Sequence, residues 1–399
     1  MDIKANEILK QKVELVVDHK NNAGRLRQMA NTLVNNLSKQ FLEMEDFPTT
    51  VDQIASIRMK AIEGLEQNLL TFEANVAKQN IKVEYINNEA DAKELLKNAL
   101  QNVTTVYVQK NELNEELNVL EAVNGLKKNI SREGTGQQLT SIVKAKFVAA
   151  DPGAIISEIK TLADNTAFAR SKRLIFVVSM FDVLQHVNHF QVLLPLLQQL
   201  NVTFNRAFSY LLFQNTIFKT PQAEIENVSV WIVDNGRSKI LNDVKVRQLA
   251  SCLHCGVCSK VCTVSKAIGN KVNYSAIHNP QSTLYNFFTN NIHDAHTLLY
   301  INTLSRAMNV MCPAGIDLQG LFLYGRQLSS KQNAGSIHKK WFHFFWKKSM
   351  LDRSSFKLLK NQSRKLVMNH LYEIQWSTKG QVPPHAKLTF NEYWRQNKK

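Results

Sequence analysis

The chain has 399 residues, of which 44% are hydrophobic, and a formal net charge of +16. This is the composition of a globular protein with a substantial core, and the length suggests two or three structural units. No apolar run approaches the roughly 20 residues that a membrane-spanning helix needs, so integral membrane insertion is not expected. The positive charge favours anionic partners, but the basic residues form no nucleic-acid recognition motif, and we expect no nucleic-acid binding.

The first 80 residues show the periodicity of amphipathic helices. Ile54, Ile57, Ile62, Leu65 and Leu69 recur at helical spacing, and Glu and Lys residues occupy the other faces. We therefore predict an amino-terminal helical arm over residues 1–80.

From residue 81 onward, short strand patterns alternate with helical patterns. The predicted strands are residues 82–86, 104–108, 146–150, 174–178, 213–218 and 228–233, and a helix is predicted over 91–100. Alternating strands and helices are typical of a layered α/β domain. We place this domain over residues 81–240, ending near the turn dipeptide Asn235-Gly236.

The next segment contains the cysteine run Cys252-Leu-His-Cys255-Gly-Val-Cys258-Ser-Lys-Val-Cys262. Its Cys-x-x-Cys-x-x-Cys-x-x-x-Cys spacing is the one that holds a cubane iron–sulfur cluster. Three thiolates separated by two residues each can surround one side of a small inorganic cube, and Gly256 permits a tight turn between them. The run predicts a redox centre in a mostly helical module over residues 241–330.

A fourth ligand must come from elsewhere in the chain, and Cys312 is the best candidate. In two-cluster ferredoxin modules, the cysteine that closes one motif binds the cluster of the other motif. We therefore predict one [4Fe-4S] cluster with four metal ligands: Cys252, Cys255, Cys258 and Cys312. Cys262 would then belong to a second cluster, but Ser305 and Met308 stand where its other cysteines are needed. Both are poor substitutes for thiolate, so we predict that the second cluster is absent.

Zinc and disulfides are the alternatives for these cysteines. Structural zinc sites usually pair two ligands, a spacer and two more ligands, whereas this run supplies three together. The amino terminus lacks the hydrophobic region of a secretory signal, so we expect the thiols in a reducing cytosol, which disfavours disulfides. The predicted localisation is cytoplasmic.

The tail, residues 331–399, is strongly basic, with 15 Lys or Arg against 3 Asp or Glu. Within it, an aromatic cluster from Trp341 to Trp346 lies between two pairs of lysines. Such a segment can contact an anionic membrane surface or an acidic subunit, which would add a peripheral contact at the inner membrane face. A solvated tail with buried aromatic residues is the alternative.

Three segments resemble the lactate utilization protein B family. Residues 233–241 with the cysteine run that follows carry the strongest resemblance, and Phe147-Val-Ala-Ala-Asp-Pro-Gly-Ala-Ile-Ile and Leu388-Thr-Phe-Asn-Glu-Tyr-Trp394 are similar to two other family segments. The resemblance as a whole is expected to cover most of residues 25–399, with the strongest specificity at 233–262. The resemblance implies an α/β LUD domain resembling the sugar-phosphate isomerase/CoA transferase-like fold, with amino-terminal helices and an α-helical ferredoxin-type module. It also implies a part in the multisubunit oxidation of L-lactate to pyruvate.

The chain departs from the family pattern in the incomplete second cysteine motif and in a shorter segment between Lys110 and Phe147. Lys110 could hold a substrate carboxylate, although a lone lysine after a strand is usually a solvated surface residue. The shortened segment argues against a retained substrate pocket in the α/β domain.

Three functions follow from these observations. We favour an electron-transfer subunit with one [4Fe-4S] cluster, in a redox complex that oxidises L-lactate or a similar small hydroxy acid with the chemistry on a partner subunit. The second hypothesis makes the α/β domain itself a ligand-binding or oxidising site. The third is a structural or accessory subunit of a larger membrane-associated assembly, in which the cluster stabilises the fold.

Overall fold

The computed structural model describes residues 47–136, 138–203, 209–213, 225–264, 280–290, 296, 298–300, 302–332, 341, 344, 347–348, 351 and 390–397. Residues 19–327 form one compact unit, and residues 1–18 with 328–399 form a second, which includes the helix Phe390–Asn397. The amino-terminal arm before residue 47 and most of the basic tail, including Trp346, lie outside the described residues. The four-part division of the chain and the membrane contact of the tail stay predictions.

The predicted helical pattern near residues 54–70 forms two consecutive helices, α1 (Phe47–Glu63) and α2 (Leu65–Ala77). Ile54, Ala61 and Ile62 are buried on one face of α1, as their helical spacing predicts. Arg58 lies on the same buried face and is fully inaccessible to solvent. A fully buried arginine needs several hydrogen-bond partners, and its partners lie in the cysteine segment described below.

Nine strands follow among the described residues: β1 (Lys82–Ile86), β2 (Thr105–Val108), β3 (Asn129–Ile130), β4 (Thr140–Asp151), β5 (Ala154–Ile159), β6 (Arg173–Ser179), β7 (Val183–His186), β8 (Ser209–Phe213) and β9 (Asn227–Val233). Five helices connect them: α3 (Glu89–Ala99), α4 (Glu112–Glu116), α5 (Val119–Gly125), α6 (Leu162–Arg170) and α7 (Phe190–Thr203). Two of these helices are capped at their N-termini by the residue that precedes them. The Asn88 side chain accepts hydrogen bonds from backbone N–H groups at the start of α3, and Thr161 forms a capping box at the start of α6.

The main part of the sheet has the order β1-β9-β6-β4-β2-β3, and every neighbouring pair in it is parallel. Helices cover both faces: α2 and α6 contribute to one apolar cluster against the sheet, and α3, α4 and α5 contribute to another. Parallel strands covered on both faces are expected to be continuously apolar, as residues 174–178 of β6 are. The predicted α/β fold class is confirmed, and the structure shows in addition that the central sheet is mostly parallel.

Strand β4 is longer than predicted and joins two parts of the sheet. Residues 140–144 pair with β6, whereas residues 145–151 pair with β5 and β7, and β5 continues to β8. The register against β5 shifts between Ala145 and Phe147, so a bulge lies at Lys146. Bulges often lie next to functional sites because they change the direction of a side chain.

The segment after β9 is helical, as predicted. It contains two 3₁₀ turns (Arg237–Asn242 and Arg247–Ser251) and four helices, namely α8 (Val257–Val261), α9 (Pro280–Thr289), α10 (Ala307–Val310) and α11 (Leu318–Lys331). Its buried residues belong to the same apolar cluster as residues of α1 and α7. The cysteine segment therefore packs against the α/β part of the 19–327 unit.

Within the described residues, no helix is both long enough and apolar enough to cross a bilayer.

Candidate functional site

The four predicted ligands surround one cavity of about 900 Å³, which we call the cysteine cavity. Cys252 and Cys255 lie in the loop before α8, Cys258 is the second residue of α8, and Cys312 follows α10. All four side chains are half-buried, and none of the five cysteines, each of which the structure describes, forms a disulfide. The structure therefore brings together four thiols that are up to 60 residues apart in sequence.

The loop that carries the first three cysteines, residues 252–258, needs two backbone positions with positive φ. His254 has φ 50° and Gly256 has φ 79°, and Gly256 directly precedes the first residue of α8. Glycine adopts this conformation without steric cost, which is why a glycine suits the position between Cys255 and Cys258. The sequence prediction of a tight turn at Gly256 agrees with this geometry.

Backbone N–H groups are directed at the sulfur atoms. The N–H of His254 donates to Cys252 Sγ at 3.3 Å, and the N–H of Gln281 donates to Cys258. Cys312 receives backbone hydrogen bonds from Ala314, Gly315 and Ile316. Hydrogen bonds of this kind stabilise negative charge on sulfur, as thiolate ligands require, and they help to set the reduction potential of iron–sulfur clusters.

Burial opposes ionisation of these thiols when no cation is present. Burial and the nearby Cys255 raise the pKa of Cys252, and burial with the other three cysteines raises the pKa of Cys258 well above its ordinary range. Burial and Cys255 also raise the pKa of Cys312, to about 11. Four thiols that repel one another as thiolates need a shared cationic group, and binding of such a group would release their protons.

A zinc ion draws its four ligands to a single point, whereas a cubane cluster binds its thiolates at four separate corners. Among the described residues, no group of three or more His, Cys, Asp or Glu side chains is placed to hold a single metal ion. Four cysteines around one cavity are the donor set that a [4Fe-4S] cluster would need.

Arg58 of α1 holds the backbone that leads into this loop. Its guanidinium donates to the carbonyl oxygens of Ala250 at 3.0 Å, Ser251 at 3.2 Å and Cys252 at 3.4 Å. It also forms a buried ion pair with Asp182 at 3.4 Å. Arg58 thus joins the first helix, the end of β6 and the cysteine loop.

Charged residues from the α/β part and the turn after it also line the cysteine cavity. We call seven of them the charged wall: Lys110, Glu112, Glu116, Lys144, Lys160, Asp182 and Arg237. Glu112 is 70% exposed and pairs with the buried Lys144 at 3.0 Å. Since Glu112 lines the cavity, much of its exposure is to the cavity, and Lys144 holds the pKa of the Glu112 carboxyl well below its usual range.

Arg237 serves as a structural anchor. Its guanidinium donates to both carboxylate oxygens of Glu116, at 2.8 and 2.6 Å, and Asn235 donates to the same carboxylate at 2.6 Å. The bidentate pair ties the turn after β9 to α4. The sequence missed this role of Glu116.

Lys110 lines the cysteine cavity and is exposed, so its role as a carboxylate ligand stays a prediction. His293 lies outside the described residues. The sequence did not single out Lys144, Lys146 or Lys160. The sequence does contain an indication of buried, paired lysines. Lys144 and Lys146 interrupt an otherwise apolar strand, where charged residues are rare unless they are paired.

Two positions of the predicted incomplete second motif, Cys262 and Met308, pack in the core. Met308 is fully buried, Cys262 is 3% exposed, and both belong to the apolar cluster around the cysteine segment. Asn302 donates to Met308 Sδ at 3.6 Å. Cys262 is not among the described residues that line the cysteine cavity.

No family model matches the chain. Similar curated proteins are named lactate utilization protein B. The protein from Bacillus subtilis (strain 168) is 28% identical over 205 residues, which are 50% of this chain and 42% of that protein. The protein from Bacillus cereus (strain AH820) is 32% identical over 107 residues, which are 27% of this chain and 22% of that protein.

A third relative of the same name, from Anoxybacillus flavithermus, is 28% identical over 191 residues, 47% of this chain and 39% of that protein. The chain thus spans less than half the length of the curated relatives it matches. Among solved structures, a DUF162 family protein from Deinococcus radiodurans has a TM-score of 0.31 and 16% identity, over 43% of this chain and 98% of that one. The curated relatives confirm the resemblance to lactate utilization protein B, but their matches cover 27–50% of the chain and not most of residues 25–399.

Proposed function

We propose that the protein is an electron-transfer subunit with one [4Fe-4S] cluster, held by Cys252, Cys255, Cys258 and Cys312. It works in a complex that oxidises L-lactate or a similar small hydroxy acid, and other subunits of this redox complex are its partners. The similarity to proteins named for lactate utilization supports this substrate class.

The convergence of four cysteines on the cysteine cavity carries the proposal. A [4Fe-4S] cluster needs four protein ligands, so the three cysteines of the local run are not enough to hold it. The fold places Cys312 at the same cavity as these three. The N–H groups aimed at Cys252, Cys258 and Cys312 add support, since they favour thiolate. When bound, the cluster supplies one-electron transfer, and these residues hold it and set its electrostatic surroundings.

The alternative is an accessory subunit in which the cluster stabilises the fold. The continuous apolar cluster that joins the cysteine segment to α1 and α7 favours a structural contribution of some kind. The charged wall favours the electron-transfer function, because ionised groups beside a redox centre change its potential.

The test is anaerobic purification of the full chain, with iron and sulfide counted per chain and an electron paramagnetic resonance spectrum after reduction. Cys252→Ser should lose the iron and the signal. Cys262→Ala is the matched control, because this cysteine belongs to the same run but is buried in the core, and it should keep both.

Equal loss of iron in the two variants would show that the ligand assignment is wrong. A cluster that lactate and its oxidising partner subunits never reduce during turnover would favour the structural alternative.

A further inference from the structure

Tyr285 of α9 lines the cysteine cavity together with the four proposed cluster ligands. Its backbone carbonyl accepts a hydrogen bond from Thr289 Oγ1 at 2.8 Å, but no described residue is hydrogen-bonded to its side-chain hydroxyl. A tyrosine hydroxyl that is removed from solvent usually has a hydrogen-bond partner. This hydroxyl can therefore donate to a group that is bound in the cavity.

One face of α9 is directed at the cysteine cavity. Six residues of this helix and its carboxyl end line the cavity, namely Gln281, Ser282, Tyr285, Asn286, Thr289 and Asn290. Residues four apart lie on the same face of a helix, so Tyr285 follows Gln281 by one turn on this face. The backbone N–H of Gln281 already donates to Cys258. The same helix thus brings an N–H group to one sulfur and an O–H group to the same cavity one turn later.

The surroundings of Tyr285 keep its hydroxyl protonated. Burial raises the pKa of Tyr285, and although Arg237 opposes this effect, Cys252 and Asp182 add to it. The hydroxyl therefore retains its proton at neutral pH and can serve as a donor toward a negatively charged sulfur. The effect of Cys252 also shows that this proposed cluster ligand is within electrostatic reach of the hydroxyl.

The ring of Tyr285 is held by the charged wall. The guanidinium of Arg237 lies 6.0 Å from the centre of the ring, at the distance of a cation–π contact. Arg237 is itself fixed by its two hydrogen bonds to Glu116. A donor that is fixed in advance needs little reorganisation when the charge of its acceptor changes. The pair of Arg237 and Glu116 thus gives the hydroxyl a defined position at the cavity.

We infer that the Tyr285 hydroxyl donates a hydrogen bond to a sulfur atom at the cluster and raises the reduction potential of the cluster. One-electron reduction makes the sulfur atoms more negative, and a hydrogen bond to a more negative acceptor is stronger. The bond therefore favours the reduced state, as hydrogen bonds to cluster sulfurs do. No covalent bond changes, and the proton stays on the tyrosine oxygen. The inference rests on the proposed function, because it requires the cluster.

The test is a redox titration of the anaerobically purified full chain, followed by electron paramagnetic resonance. Tyr285→Phe removes the hydroxyl and keeps the ring. It should make reduction less favourable by about tenfold, which places the potential of a one-electron couple about 59 mV lower. Tyr324→Phe is the matched control. The Tyr324 hydroxyl donates to Asp243 at 2.6 Å, and Tyr324 is not among the described residues that line the cysteine cavity, so the potential should not change.

A second measurement tests whether the tyrosine lies beside the cluster. With ring-deuterated tyrosine in the protein, electron–nuclear double resonance of the reduced cluster should detect a deuterium coupling in the wild type and in Tyr324→Phe. Tyr285→Phe should lose this coupling. A shift of potential without a coupling that depends on Tyr285 would mean an indirect effect and would overturn the inference.

An unchanged or higher potential in Tyr285→Phe, or an equal shift in both variants, would also overturn it. Loss of iron from Tyr285→Phe would do the same, since a hydroxyl that only adjusts the potential is not needed to assemble the cluster. Iron and sulfide are counted in every preparation. A wild-type chain without a cluster would contradict the proposed function and with it the inference. A wild-type cluster whose potential does not depend on Tyr285 would contradict the inference alone.

Discussion

The most direct test of how the fold supports the cysteine loop is the replacement Arg58→Leu. Arg58 is fully buried and donates hydrogen bonds to three consecutive carbonyl oxygens, those of Ala250, Ser251 and Cys252. The replacement also leaves Asp182, which is 1% exposed, without its cation. Two effects should follow, a lower stability of the 19–327 unit and a poorer fixation of the first cluster ligand.

The expected loss of stability comes mainly from the orphaned carboxylate. Breaking a buried ion pair from one side costs about 3–5 kcal/mol. With a denaturant dependence of about 3 kcal/mol per molar urea, the unfolding midpoint of the cluster-free protein should fall by roughly 1–1.7 M. Adding Asp182→Asn should recover part of this loss, because the double variant leaves no buried charge unpaired.

The assay is urea denaturation followed by circular dichroism, with iron counted per chain in parallel. Arg170→Leu is the control, since it makes the same change at an exposed position at the end of α6. We expect Arg58→Leu to lower both the midpoint and the iron content, and the control to change neither appreciably. An Arg58→Leu protein with the midpoint and iron content of the control would refute the role of Arg58 in holding the loop.

Two further predictions concern charge and packing. Burial raises the pKa of Glu158, but Lys146, Lys160 and Lys144 outweigh it and lower the value from 4.5 to about 2. Its ionised form therefore stabilises the fold above pH 4.5, and this contribution of about 3 kcal/mol disappears as the pH falls through 2. Glu158→Gln should lower the stability at pH 7 and flatten its acid dependence, as urea midpoints at pH 3 and 7 would reveal; parallel pH profiles would contradict this. Met308→Ala should lower the free energy of unfolding by about 2–5 kcal/mol, because it leaves a cavity in the core. Val310→Ala, at a position that is 63% exposed, should lower it little. Equal urea midpoints of the two variants would contradict the burial of Met308.

The sequence predicted the parts of the fold that have strong periodicity. The apolar runs at residues 174–178 and 228–233 are central parallel strands, and the helical stripe through Ile54 and Ile62 is the buried face of α1. The strands β5, β7 and β8 were harder to predict from pattern alone. A short apolar segment next to a turn does not show which strand of the sheet it pairs with. Strand β4 was underestimated because Lys144 and Lys146 interrupt its apolar pattern.

For the site, spacing alone located the cysteines, since ligands separated by two residues reflect local geometry. The charged wall could not be assembled in the same way. Glu112, Lys144 and Lys160 become neighbours only after β2, β4 and β5 pair in the observed register. Arg58 is similar: its place in the stripe of Ile54 and Ile62 signals burial, but its carbonyl partners near residue 251 are almost 200 residues away in sequence.

Met308 and Cys262 lie in the apolar core, whereas the cysteine cavity is lined by charged residues of the α/β part, including Lys144 and Lys160. In the proposed electron-transfer function, these charged residues would lie beside the cluster and change its potential. A purely structural cluster would need only apolar packing around it. The charged lining shared with Cys255 therefore favours the electron-transfer proposal over the structural alternative.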